Sequence, residues 1–326
     1  MPEMDETPSQ QMQCMEVWGG NQLTTREVEF GGLDAWVYSK PYGQAPRGGD
    51  VYYASSCATG RISRLLLADV AGHGKFAASA AADLRILMRR FVNCLDQTEF
   101  VRRLNGQFSA LSRAGVFATA VVVTFFSPTR RLMVCNAGHP RPLLYRASEQ
   151  RWDFLGEAAF GNVPLGILAL VEYQQFDVEL QPGDCLLSYT DALIESSDAD
   201  GEMLGEAGLL RIVRLLGDIE PSRLTQTLLR EIGERFPENL SEDDVTVMVV
   251  RANGREGRYT WGEKLGAFAR VIGSFIRAIN PRAERPPLPD ANLANFGGAF
   301  IPALARRWVP ASEAKKRRRG ASAAAK

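Results

Sequence analysis

Between Phe117 and Tyr189 the chain is cut by Ser-Pro, Pro-Arg-Pro and Pro-Gly into short runs of Val, Leu, Phe and Tyr, at 117–126, 132–136, 143–146, 152–155, 176–180 and 185–189. Runs of this length, rich in β-branched and aromatic residues and bounded by turn formers, read as strands. Together they predict a dense antiparallel β region. Segments at 26–38, 51–55 and 62–68 read the same way, and a last strand spans 245–251, where Val245, Val247 and Val249 alternate with Thr246, Met248 and Val250.

Two pairs of helices interrupt the strands. An Ala-rich stretch from 74 to 94 carries Leu84, Leu87, Met88 and Phe91 at helical spacing, and Phe100, Leu104, Phe108 and Leu111 repeat the pattern. Two further helices are expected at about 205–216 and 222–236. Helices and sheets in this order predict an α+β layered domain. No internal repeat of solenoid period is present, which disfavours a repeat architecture.

A chain of 326 residues with 45% hydrophobic residues can bury a sizeable core. Lysine plus arginine (38) balance aspartate plus glutamate (38), so no global field draws the protein to nucleic acid, and any electrostatic function is local. Five cysteines (Cys14, Cys57, Cys94, Cys135, Cys185) lie far apart without metal-binding spacing, as expected of reduced thiols in a cytoplasmic protein. The first residues lack a basic and an apolar region, and no run of about eighteen apolar residues occurs, so neither export nor membrane spanning is expected. The expected organisation is a polar arm at 1–25, a globular domain at 26–253 and an extension at 254–326.

The chemistry is carried by aspartates at the ends of expected strands: Gly48-Gly49-Asp50, Ala68-Asp69-Val70-Ala71-Gly72-His73-Gly74, Tyr189-Thr190-Asp191 and Glu242-Asp243-Asp244-Val245-Thr246. Hard cations such as Mg²⁺ and Mn²⁺ prefer oxygen ligands and keep several waters, so three or four carboxylates around one basin suit two ions. Two ions activate water and neutralise charge on a phosphoryl group, with no nucleophilic side chain needed. Gly72 and Gly74 can take positive φ, letting the backbone turn sharply and lend a carbonyl before a helix begins. A lone loop aspartate, such as Asp198 or Asp200, is more simply a turn residue.

These segments, in this order and at these separations, resemble the SpoIIE/RsbU-type branch of the PPM (PP2C-like) phosphatases, over about 48–251. Asn136-Ala137-Gly138-His139-Pro140 and Val163-Pro164-Leu165-Gly166, falling between the second and third aspartates, resemble further recurrent segments of that branch. The resemblance implies a four-layer αββα sandwich of two antiparallel sheets flanked by helices, with a dimetal site at one edge. It implies that Asp50 and Asp69 bridge or bind two Mn²⁺ or Mg²⁺ ions, that the Val70 carbonyl completes one shell, and that Asp191 and Asp243 complete the other. Asp244 is the alternative to Asp243, since adjacent side chains of an extended strand face opposite ways. The catalytic set is thus Asp50, Asp69, Asp191 and Asp243.

The sequence departs from the family pattern where Asp50 is followed by Val51-Tyr52-Tyr53-Ala54 and no second acid. Arg47 is near enough in sequence to be weighed as a phosphate clamp, although most loop arginines are simply solvated. His73, inside the metal-turn motif, reads as a donor near the activated water or as a turn cap. His139 reads as a structural hydrogen-bonding residue, because no second His or Cys offers a zinc set.

In the extension, Trp261, Leu265, Phe268, Ile272, Phe275 and Ile279 recur at the spacing expected of an amphipathic helix, followed by a Pro-rich stretch and the basic run Lys315-Lys316-Arg317-Arg318-Arg319. Docking within the protein is favoured over peripheral membrane contact, because the helix carries few cations. The function expected from the resemblance is hydrolysis of phosphoserine or phosphothreonine on a bacterial signalling protein, such as an anti-sigma-factor antagonist. The competing readings are a regulatory pseudophosphatase acting as a binding module and, less favoured by motif order, a metal nuclease. Oligomeric state and regulatory input are not legible.

Overall fold

A computed structural model describes residues 10–12, 17–43, 45–57, 60–72, 74–91, 94, 96–111, 115–156, 161–198, 200–236, 240 and 242–255. Four strands come first: β1 (Gln10–Gln11), β2 (Val17–Gly20), β3 (Thr24–Phe30) and β4 (Leu33–Lys40). They are followed by β5 (Val51–Cys57), β6 (Ile62–Val70), α1 (Gly74–Arg90), α2 (Gln97–Leu111), β7 (Ala118–Phe126), β8 (Arg131–Ala137), β9 (Leu143–Arg146) and β10 (Arg151–Phe154). The last elements are β11 (Phe176–Glu179), β12 (Cys185–Tyr189), α3 (Gly205–Leu216), α4 (Pro221–Arg235) and β13 (Val245–Ala252).

A seven-stranded sheet runs β1-β3-β4-β13-β12-β9-β10, and a six-stranded sheet runs β11-β8-β7-β6-β5-β2. β1 pairs with β3 in parallel, and the other paired strands are antiparallel. Two strands fall inside the segment expected to be a polar arm, where Val17-Trp18 adds an edge strand to β5. The expected strand at 26–38 is instead two, because Gly31-Gly32 closes a hairpin with Phe30 opposite Leu33.

Three apolar layers stack between four layers of structure. Leu66, Ala68 and Val122 of the six-stranded sheet pack against Leu84 and Met88 of α1 and Phe100 and Phe108 of α2. Between the sheets, Leu65, Leu67, Val121 and Val123 meet Val28, Leu33, Met248 and Val250. On the outer face of the seven-stranded sheet, Leu187, Val247 and Val249 meet Leu209 and Val213 of α3 and Leu228 and Ile232 of α4. Side chains alternate across a strand, so β6 sends Leu65 and Leu67 to one layer and Leu66 and Ala68 to the other. That double burial explains why 62–68 reads as an almost unbroken apolar run rather than an alternating one. The result is the expected αββα sandwich. No helix among the described residues is long and apolar enough to cross a membrane.

α1 buries Ala77, Ala81, Leu84 and Met88, a stripe at helical spacing. The turn that launches it has Gly72 at φ 89° and Gly74 at φ 80°, left-handed values that the glycines were expected to supply. The amphipathic helix expected at 261–279, the basic run at 315–319 and His73 lie outside the described residues.

Candidate active site

Asp50 directly precedes β5, whose Val51 pairs with Ala68, the residue before Asp69 in β6. These two carboxylates therefore leave neighbouring strands of the six-stranded sheet at the same end. In the facing sheet, Tyr189 of β12 pairs with Val247 of β13. Asp191 lies just beyond one strand and Asp243 just before the other, so they too share one end.

Electrostatics shows that the two sheets bring these ends together. The Asp69 carboxyl is pushed well above the usual carboxylate range by burial, then by the charges of Asp191, Asp243, Asp244 and Glu195. Asp50 is raised likewise, by burial first and then by Asp69, while the hydroxyls of Thr246 and Thr190 pull it back and Asp244 raises it further. Asp191, less buried, is raised by burial and by Glu195. All four expected aspartates thus belong to one basin, and Glu195 joins them. The sequence signal for Glu195 was its place four residues beyond Asp191, one turn on.

Asp50 is 2% exposed. Its Oδ2 accepts a 3.0 Å hydrogen bond from the Thr190 hydroxyl, which in turn accepts from the Thr246 backbone N–H at 3.0 Å. Its Oδ1 is buried with no hydrogen-bond partner. A buried carboxylate oxygen left open costs free energy unless something positive meets it. Both threonines stood inside the motifs read from the sequence without being given a role.

The adjacent acids before β13 behave differently. Asp244 is 3% exposed and spends both oxygens on backbone N–H groups: Tyr42 N donates to Oδ1 and Gly49 N to Oδ2, each at 2.6 Å. Asp243 is half-buried and accepts from the Asp244 N–H at 2.7 Å. Asp243 outranks Asp244 in its effect on Asp69.

Gly49 lies beside the Val70 carbonyl, whose oxygen is 3.1 Å from where a Gly49 Cβ would sit. The carbonyl expected to serve as a ligand therefore borders the loop that delivers Asp50. Arg47 is exposed.

His139 is a buried structural residue, as its neighbourhood in sequence indicated. Its Nδ1 is 2.8 Å from the Thr119 hydroxyl, and Asn136 bonds both its N–H and its carbonyl at 2.8 Å. Burial holds its pKa down to about 3, so the ring stays neutral. Thr119 is the register partner of Asp69, which places His139 at the same end of the sandwich as the aspartates. The two motifs following the second aspartate touch: a Cβ on Gly138 would meet Pro164 Cγ at 2.4 Å, and Leu165 pairs with Ala118. Cys94, Cys135 and Cys185 are buried, with the Cys94 thiol donating to the Asp96 carbonyl at 3.4 Å, and burial pushes Cys135 and Cys185 up to about 12.

The donor set is oxygen only and anionic, with one open buried carboxylate oxygen, which fits a hard divalent cation. Among the described residues, no three His, Cys, Asp or Glu side chains stand at the spacing of a closed metal shell. A cation that keeps several of its waters does not require one.

Two facing antiparallel sheets, a helix pair on each outer side and aspartates gathered at one end define a protein with the fold of PP2C-type phosphatase domains. The chain belongs to the SpoIIE family: the profile described as Stage II sporulation protein E (SpoIIE) matches residues 60–253, more than half of its length. Among solved structures, the RsbU and RsbW domains of Rv1364c from Mycobacterium tuberculosis are similar with a TM-score of 0.62 at 23% identity, covering 79% of this chain and 75% of that one. The PP2C phosphatase domain of SpoIIE from Bacillus subtilis, solved with a fragment of its regulatory domain, gives 0.57 at 17% identity, covering 74% and 64%. RsbX in complex with magnesium gives 0.53 at 16% identity, covering 70% and 99%. No curated protein matches the chain significantly in sequence.

Proposed function

We propose that this chain is a divalent-metal-dependent protein serine/threonine phosphatase in which Asp50, Asp69, Asp191, Asp243 and the Val70 carbonyl hold two Mn²⁺ or Mg²⁺ ions. The observation that carries this reading is the gathering of the four aspartates from two sheets at one end, where Asp69 feels the charges of the facing pair. Buried like charges at this density are costly unless cations share the site. The magnesium complex of RsbX, a protein of the same fold, supports the choice of a hard cation.

Asp243 is preferred to Asp244 as ligand because both Asp244 oxygens are occupied by backbone amides. When bound, the two ions supply an acidified water and neutralise charge on the phosphoryl group. The protein's own part is orientation. Thr190 fixes the Asp50 carboxylate through Oδ2, while Oδ1 is buried and unpaired. His139, neutral and tied to Thr119, anchors the strand position opposite Asp69 without adding charge. No Ser or Cys nucleophile is needed at the centre, consistent with direct attack by water. The substrate class proposed is the phosphorylated signalling protein that the motif resemblance in the sequence implies.

The test is a Mn²⁺ assay against a panel of phosphoserine and phosphothreonine peptides, an aryl phosphate, DNA, RNA and nucleotides. Hydrolysis confined to the phosphomonoesters and abolished by chelation is expected. Cleavage of nucleic acid would make it a nuclease, and inertness toward the whole panel would favour a binding module.

A further inference from the structure

Asp244 is an acid beside the candidate metal site whose two oxygens each accept a backbone amide. We propose that it is a positioning residue: its carboxylate clamps the loop between β4 and β5 and thereby sets where Asp50 stands. The inference rests on the reading of Asp50 as a metal-holding residue.

The two amides that Asp244 binds belong to the two ends of that loop. Tyr42 lies two residues after β4, and Gly49 lies directly before Asp50. One carboxylate therefore closes the loop upon itself, through two charge-assisted bonds of 2.6 Å. The preceding glycine makes room for it. A Cβ on Gly48 would fall 2.2 Å from Asp244 Oδ1 and 2.6 Å from its Cγ, so only glycine admits the carboxylate at this place. Gly48, two residues before Asp50, thus has a steric cause.

The other side of the loop is held independently. Asn21, 1% exposed, accepts from the Gly48 N–H at 2.8 Å through its backbone carbonyl. Its side-chain amide donates to the Gly48 carbonyl at 3.0 Å and reaches the Ala78 carbonyl of α1 at 3.4 Å. Asp50 consequently enters the basin from a segment gripped on both faces, by Asn21 on one and Asp244 on the other. Because neighbouring side chains of an extended segment point to opposite sides, the pair Asp243-Asp244 divides the work. One acid faces the basin and the other faces the loop.

The experiment compares Asp244→Asn, Asp243→Asn and Gly48→Ala with the wild type. Amide exchange at residues 42 and 49 is measured in metal-free protein, Mn²⁺ affinity by calorimetry, and aryl phosphate hydrolysis across Mn²⁺ concentrations. An asparagine retains one acceptor oxygen and turns an N–H₂ toward the second amide, so one charged hydrogen bond is lost, worth about tenfold. Asp244→Asn is expected to speed exchange at both amides and to weaken Mn²⁺ binding by about tenfold, with turnover recovering as Mn²⁺ is raised. Gly48→Ala, which keeps the acid but displaces it, is expected to reproduce this pattern and serves if Asp244→Asn does not fold. Asp243→Asn is expected to leave the two amides protected and to lose turnover that no Mn²⁺ restores. Wild-type exchange and affinity in both Asp244→Asn and Gly48→Ala would overturn the proposal. So would protected amides together with turnover that Mn²⁺ cannot rescue in Asp244→Asn, which would make Asp244 a ligand. If Asp243→Asn instead keeps wild-type Mn²⁺ binding and turnover, the ligand assignment fails while the clamp, read from exchange alone, stands.

Discussion

The hydroxyl of Thr190, just past the end of β12, donates to Oδ2 of Asp50, just before β5, at 3.0 Å. This bond crosses from one sheet to the other at the end where the aspartates gather, and the second oxygen of Asp50 is buried without a hydrogen-bond partner. Thr190→Val keeps the shape and removes both the donor to Asp50 and the acceptor of the Thr246 N–H. The expected cost is about 1–3 kcal/mol of stability in metal-free protein, the range for a buried hydrogen bond to a carboxylate, read from urea unfolding. An unchanged midpoint would show that the bond does not hold the sheets.

Burial and mutual repulsion raise Asp50, Asp69 and Asp191 above their unfolded values. A raised acid makes the folded state bind more protons than the unfolded chain, so stability is lost as pH climbs from about 4 through the raised values. Asp50→Asn removes one of the repelling charges. Relative to wild type, the metal-free variant is expected to gain stability progressively as pH climbs above about 4, at up to about 1.4 kcal/mol for each pH unit. Parallel stability curves for the two proteins would contradict the crowding of charge.

His139 works in the opposite sense. Its folded pKa is lowered to about 3 from 6.5, so the neutral ring contributes stability that is present above pH 6.5 and lost as pH falls toward 3. His139→Gln is expected to flatten the acid limb of the stability curve between those values, although it also weakens the tie to Thr119. An acid limb as steep as that of wild type would place the acid sensitivity elsewhere.

The packing between the sheets gives a prediction about stability alone. Leu67 is 0% exposed in the central layer, and Leu67→Ala is expected to cost about 2–5 kcal/mol by transfer and cavity terms. A loss below about 1 kcal/mol would mean that the two sheets collapse onto the gap.

Much of this was legible in the chain. The period-two alternation of Val245, Val247 and Val249 against Met248 and Val250 marks β13 as a strand buried on both faces, and its residues do divide between two layers. The aspartates stood out because strand ends are where a sandwich can gather side chains from both sheets. What escaped was governed by contacts distant in sequence. Val17-Trp18 is a strand only because β5 offers it an edge. Gly31-Gly32 is a hairpin signal inside a stretch that otherwise reads as one strand. Asp244 and Asp243 are indistinguishable as letters, and only the amides of Tyr42 and Gly49, about 200 residues away in sequence, separate their tasks.

The most direct measurement is Mn²⁺-dependent release of phosphate from a phosphothreonine peptide by the wild-type chain and by Asp69→Asn and Asp191→Asn. Asp69 joins the two halves of the basin, and Asp191 comes from the sheet that faces it. Turnover in the wild type that vanishes on chelation and falls by at least about a thousandfold in both variants is the expected result, since loss of a metal-holding group removes several kcal/mol of transition-state stabilisation. Wild-type rates in either variant would contradict a shared metal centre built from both sheets.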